Sequence, residues 1–132
     1  MGSDGDVTAP PSGTVTFLFS DIEGSTKRWD HDRAAMQEAL RVHDRLMRDA
    51  LNANGGYIFK TVGDAFCAAF ATPESAAAAA LDAQRTLAAT DFSGVDGLRV
   101  RIAINTGTAD ERDGDYFGPA LNRVARLLAL GH

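Results

Sequence analysis

The chain is 132 residues long, enough for one domain, and long enough to bury roughly two-thirds of the surface its unfolded form exposes. A hydrophobic share of 45% with 23% charged residues is ordinary for a globular fold, and a net charge of −5 argues against a nucleic-acid-binding surface, which requires a basic patch. The single cysteine, Cys67, excludes an internal disulfide and suits a reducing compartment; the longest apolar run near the N-terminus, "VTFLF", is too short to cross a membrane, so a cytoplasmic location without a membrane partner is expected.

Residues 1–12, rich in Gly, Pro, Ser and Asp, read as a disordered leader, with the domain expected over 13–132. "GTVTFLFSD" (13–21) alternates apolar and small residues as a central strand does. "IEGST" (22–26) is a glycine-containing turn in which Ser25 or Thr26 is placed to cap a helix. From Asp32 to Asn52, Met36, Leu40, His43, Met47, Ala50 and Leu51 recur at helical spacing, and Gly55-Gly56 ends the run. "GGYIFKTVGDAFCAAF" (55–70) reads as two strands around a tight turn. Thr72-Pro73, a cap and first-turn pair, opens an alanine-rich helix whose small side chains suit close packing. After the polar loop "TDFSGVDG", "LRVRIAINTG" (98–107) reads as a strand with Arg99 and Arg101 on one face. "ERDGDY" (111–116) holds an Asp-Gly turn. "GPALNRVARLLALG" (118–131) is an amphipathic helix with Pro119 near its start, Gly131 at its end, and Leu121, Val124, Leu127 and Leu128 as its buried stripe. The order strand, helix, hairpin, helix, hairpin, helix predicts an α+β fold with a largely antiparallel sheet and helices covering one face. No internal repeat is present.

Several polar residues invite a chemical reading. Lys60 and Asp64 stand in an otherwise apolar hairpin, where a charge buried without a partner is costly. Asp21 at a strand end and Asp64 at a turn are placed to converge, and two converging carboxylates hold hard cations such as Mg²⁺ or Mn²⁺. Each is also explained alone, Asp21 as a helix cap and Asp64 as a turn residue. The loop at Gly24, Ser25 and Thr26 offers backbone N–H groups beside a helix start, a cradle for phosphate. Asn122 and Arg126, four apart, share one helix face, suited to a ribose and a charged phosphoryl group or simply to solvent.

Four segments, "FLFSDIEGST", "FKTVGDAF", "LRVRIAINTG" and "GDYFGPALNRVARL", resemble in order and spacing the catalytic domain of the class III nucleotidyl cyclases, over about residues 13–131. The resemblance implies a ferredoxin-like βαββαβ core acting as a head-to-tail homodimer with active sites between the subunits. It makes Asp21 and Asp64 the ligands of two Mg²⁺ or Mn²⁺ ions per site, with the Ile22 carbonyl as a further ligand. Lys60 resembles the lysine that reads adenine and Asp115 its companion at the purine amine. Arg101 matches the arginine on the triphosphate, Asn122 the asparagine that orients the ribose, and Arg126 the arginine that stabilises the transition state. The implied reaction converts ATP to 3′,5′-cyclic AMP and pyrophosphate.

Ala103 and Asn105 stand where the family often has glycine and histidine, without an assigned role. The resemblance also implies further strands after the last helix, one bearing a basic residue for the triphosphate, so the chain reads as C-terminally short; Lys27 and Lys60, its only lysines, do not fill that place. No histidine falls in the four segments, so they name no proton acceptor. The competing readings are a cyclase-like domain that binds nucleotide or a partner without turnover, a guanylate cyclase, against which Lys60 argues, and a diguanylate cyclase, whose paired glycine would not lie upstream at 55–56.

Overall fold

The computed structural model describes residues 10–130. Ten elements follow one another: β1 (Gly13–Ile22), α1 (Ser25–His31), α2 (Arg33–Ala53), β2 (Tyr57–Val62), β3 (Ala65–Phe70), α3 (Pro73–Ala88), a 3-10 turn (Ser93–Val95), β4 (Val100–Arg112), β5 (Asp115–Phe117) and α4 (Pro119–Leu130). The strands form one sheet in the order β2-β3-β1-β4-β5, and every neighbouring pair is antiparallel. The first four strands with α2 and α3 make the expected ferredoxin-like core.

β1 is central, and Val15, Thr16, Phe17 and Leu18 are all essentially inaccessible to solvent. A strand sealed on consecutive residues has both faces covered. On one face Leu18 and Ile22 meet Met36, Met47 and Leu51 of α2, Ala76, Ala79 and Ala83 of α3, and Phe66 and Phe70 of β3. The alanine run therefore is a close-packing face, as its composition predicted. On the other face Val15 and Phe17 join Ala69, Ala103 and Tyr116 beneath Ala120 and Val124 of α4.

The expectation of helices on one face only is thus corrected. Its source was the reading of "VTFLF" as alternation, where Thr16 is in fact buried and bonds Thr106 Oγ1 at 2.9 Å. α4 can lie against β4 because Gly107 has no side chain: a Cβ there would stand 2.8 Å from the Ala120 Cβ. The stripe of α4 is also narrower than expected. Val124 is buried and Leu121 and Leu128 partly so, but Leu127 is 46% exposed, since the helix rests on the sheet through Ala120 and Val124.

Helix starts agree in part. Thr72 caps α3 by accepting from Ser75 N at 3.1 Å, with Pro73 in the first turn. Ser25 and Thr26, however, are not caps but the first residues of α1; Gly24, in left-handed backbone, precedes them. A second helix then starts at Asp32, whose side chain accepts from Ala35 N at 3.0 Å. Arg99 lies just before β4, exposed, rather than on the strand with Arg101. Of the leader, residues 1–9 lie outside the described residues, as does Gly131, but Pro11 is held: its carbonyl accepts from Tyr116 Oη at 2.6 Å.

Replacing Gly107 by valine is expected to force α4 off the sheet and to destabilise the fold by about 1–3 kcal/mol. A thermal melt of the variant that matches the parent would remove close helix approach as the reason for glycine there.

Candidate active site

Alternation along β1 sends Val15, Phe17, Phe19 and then Asp21 to the α4 side of the sheet. Asp21 stands directly opposite Arg101 in the β1–β4 register, so both side chains emerge together at the strand end. They form a fork: Arg101 Nε donates to Asp21 Oδ1 at 2.8 Å and Nη2 to Oδ2 at 2.6 Å. The pair is partly sheltered, at 14% and 24% side-chain exposure. Asp64 follows Gly63 in the β2–β3 turn, near the same end of the sheet, since Ser20 pairs with Phe66 just inside it. The Asp21 hydrogen bond above all, with the charges of Asp21, Glu23 and Asp64 behind it, holds the Arg101 guanidinium above its ordinary range, against an opposing effect of burial.

The loop that follows Asp21 is tied down by a residue that the sequence did not single out. Arg28 donates to the carbonyls of Glu23 at 2.6 Å and Gly97 at 2.9 Å, while Glu23 N donates to Arg99 O at 2.8 Å. An arginine one turn inside a helix that starts at a glycine was the available signal. These bonds fix the path of the Ile22 carbonyl and of the first turn of α1, where Ser25 and Thr26 present their N–H groups.

Lys60 reaches the same side of the sheet through an irregularity. In the β2–β3 ladder Tyr57 pairs with Ala69 and Ile58 with Ala68, but the next pair is Lys60 with Cys67, leaving Phe59 as an extra residue. This bulge breaks the alternation, so Phe59 packs among Phe17 and Tyr116 and Lys60 also emerges on that face. Without it, Lys60 would point into the apolar layer beneath α2 and α3. The β4–β5 hairpin bends over to meet it. Its turn, Asp113-Gly114 with φ of 53° and 81°, receives the Tyr57 hydroxyl on the Gly114 carbonyl at 3.1 Å. Asp115 then lies with Oδ2 3.7 Å from Lys60 Nζ, while its Oδ1 accepts from Tyr116 N at 2.8 Å.

Beneath the pair, burial pushes the Cys67 thiol up to about 11, with Lys60 opposing and Asp115 adding to the shift. Burial, then Glu111 and Tyr57, push Tyr116 up to about 12. Asn122 and Arg126 are exposed on α4, one turn apart, and make no hydrogen bond or ion pair with the described residues. The expected residues therefore fall into three groups: Asp21, Asp64 and Arg101 at one end of the sheet, Lys60 with Asp115, and Asn122 with Arg126. None of the four concavities described takes in any of them; that of about 520 Å³ between α1 and the 3-10 turn is lined by residues such as Lys27, His31 and Asp96.

No cluster of three His, Cys, Asp or Glu side chains gathers among the described residues. Two carboxylates and a carbonyl nevertheless suit a hard cation, which takes oxygen ligands and retains waters. The corner already accommodates a positive charge, in the form of the Arg101 guanidinium paired with Asp21, with the fields of Glu23 and Asp64 acting on it as well. The residues present fit a divalent cation.

A family model described as the adenylate and guanylate cyclase catalytic domain matches residues 7–132. The chain belongs to this family of class III cyclase catalytic domains. It is 41% identical over 125 residues to an uncharacterized protein of Mycobacterium tuberculosis (strain H37Rv), covering 93% of this chain and 41% of that one. It is 33% identical over 147 residues to the adenylate cyclase of Schizosaccharomyces pombe, covering 92% of this chain and 9% of that enzyme. An adenylate cyclase of Trypanosoma brucei, solved in its monomeric state, superposes with a TM-score of 0.85 at 29% identity, over 93% of this chain and 72% of the other. The chain thus spans about two-fifths, or less, of the curated relatives it matches. Among the described residues no helix is long and apolar enough to cross a membrane.

Folded-state pKa values raised for Cys67 and Tyr116 mean that the native state holds protons the unfolded chain releases. Stability is therefore expected to be full below pH 9 and to fall between about pH 9 and 12. Denaturant midpoints across this range check it, and Cys67→Ala should flatten the first part of the decline. A midpoint that stays level to pH 11 in the parent would contradict the burial of both groups.

Proposed function

We propose that this chain is the catalytic part of an adenylate cyclase, converting ATP to 3′,5′-cyclic AMP and pyrophosphate at sites shared by two copies in a head-to-tail dimer. The observation that carries ATP is the Lys60–Asp115 pair, which offers a donor and an acceptor side by side. Adenine presents the complement, an acceptor at N1 and a donor at its exocyclic amine. Guanine presents the reverse, and a site that leaves polar groups unpaired rejects it strongly. The relatives called adenylate cyclase, in Schizosaccharomyces pombe and Lachancea kluyveri among others, support the same reading.

In this reading Asp21, Asp64 and the Ile22 carbonyl hold two Mg²⁺ or Mn²⁺ ions. Bound divalent cations lower the pKa of the ribose 3′-hydroxyl and neutralise the triphosphate. Gly24, Ser25 and Thr26 contribute N–H groups to the phosphates, and Arg101 pairs with them. Asn122 orients the ribose so that O3′ lies in line with the α-phosphorus. Arg126 stabilises charge on the phosphoryl oxygens as the O3′–P bond forms and pyrophosphate departs. A second copy supplies one group to the other: Asn122 and Arg126 are exposed and unbonded on α4, and Lys60 stands two strands away from Asp21 across the sheet.

Asp21→Ala and Asn122→Ala are each expected to be inactive, and their mixture to regain about a quarter of parental cyclase activity, because half the dimers are mixed and each carries one intact site. A mixture that stays inactive despite demonstrated heterodimers would rule out shared sites.

Exchanging the base-reading polarity, with Lys60→Glu and Asp115→Gly together, is expected to lower the ATP-to-GTP ratio of kcat/KM by at least about tenfold. The ratio at matched Mn²⁺ decides it; an unaltered ratio would free Lys60 and Asp115 from any role in base choice.

A further inference from the structure

Asp21 is claimed twice. It is the carboxylate expected to hold a cation, yet both its oxygens already accept from the Arg101 fork. The contact is no chance meeting of long surface side chains. The two residues face each other in the β1–β4 register, both are partly sheltered, and Asp64 and Glu23 add their fields on the same guanidinium. A planar fork takes one lone pair on each carboxylate oxygen and holds a full positive charge against both. A divalent ion at the same carboxylate would compete with the guanidinium for its two oxygens and meet a like charge beside it.

We infer that Arg101 is a built-in counter-ion, occupying the cation position at Asp21 and leaving it for the triphosphate when metal and nucleotide enter together. This rests on the proposed roles of Asp21 and Arg101 and adds a coupling between them. A metal ion alone must displace the Arg101 fork from Asp21 and brings no anion in exchange, so it binds weakly. A triphosphate alone competes with Asp21 for Arg101 and leaves the acidic corner without its cation. When both arrive, Arg101 exchanges a carboxylate for phosphate oxygens and Asp21 exchanges an arginine for the metal, so no charge is stranded. Metal and triphosphate then each raise the other's affinity, by the same factor. Between turnovers, the pair keeps Asp21, Asp64 and Glu23 from repelling one another.

The test is Mn²⁺ binding by the intact chain without nucleotide, followed by the electron paramagnetic resonance signal of free Mn²⁺, in the parent, Arg101→Gln, Arg101→Lys and Asp21→Ala. Arg101→Gln is expected to bind Mn²⁺ about tenfold more tightly than the parent, and Arg101→Lys, which keeps the charge but loses the fork, to fall between them. Adding inorganic tripolyphosphate should tighten Mn²⁺ binding to the parent far more than to Arg101→Gln. If Asp21→Ala loses the ion while neither Arg101 variant gains affinity, Asp21 is a ligand but Arg101 is no counter-ion, and the inference falls alone. If Asp21→Ala binds Mn²⁺ as the parent does, the metal reading and the inference fall together. Metal-free thermal melts identify any variant that does not fold; should glutamine be such a case, the lysine variant carries the same comparison.

Discussion

The burial of β1 on both faces and along both edges is the constraint from which the rest follows. Its middle residues are sealed by α2 and α3 beneath and by α4 and the aromatic cluster above, while β3 and β4 occupy its two edges. A strand so enclosed cannot slip in register without exchanging its two apolar sets, Val15 and Phe17 for Thr16 and Leu18. The position of Asp21 at its end, and of Arg101 across the ladder, is thereby fixed by packing several residues away.

The three groups of candidate residues depend on different devices. Asp21 and Arg101 owe their meeting to register, Lys60 to a bulge, and Asp115 to the two-residue turn that folds β5 back toward β2. Asn122 and Arg126 depend on Gly107, which lets α4 settle on β4, and on the bond from Asn105 Nδ2 to the Ala120 carbonyl at 3.4 Å. Apart from Asp64 in its turn, these side chains therefore sit on strands and on one helix.

Much of this was legible in the sequence. Period and turn chemistry located the two hairpins and the long helices, because Gly63, the Asp113-Gly114 pair and Thr72-Pro73 act locally on the backbone. The resemblance named Lys60 and Asp115 separately, and the structure adds that the two side chains stand 3.7 Å apart. What stayed hidden was set by distant parts of the chain. The side of the sheet taken by α4 depends on both faces of β1 being apolar, and a buried threonine concealed that. The exposure of Leu127 reflects how few residues α4 sets down on the sheet. The Asp21–Arg101 fork requires a register between residues 80 apart, which no local pattern announces. Arg28 acts through carbonyls, and backbone acceptors leave no mark in the residue pattern.

The extra residue in β2 makes that strand sensitive to length rather than to identity. Phe59 serves as a one-residue phase shift: upstream of it odd-numbered positions share the α4 side, and downstream of it even-numbered ones do. A change of side chain at position 60 alters what is offered to a ligand while leaving the strand's parity intact. Losing a single codon between Tyr57 and Lys60 would instead reverse parity for the whole upstream half or bury the ammonium. Drift among descendants of this chain is therefore freer to substitute position 60 than to shorten β2, and insertions or deletions in the hairpin should be confined to the turn beyond Val62.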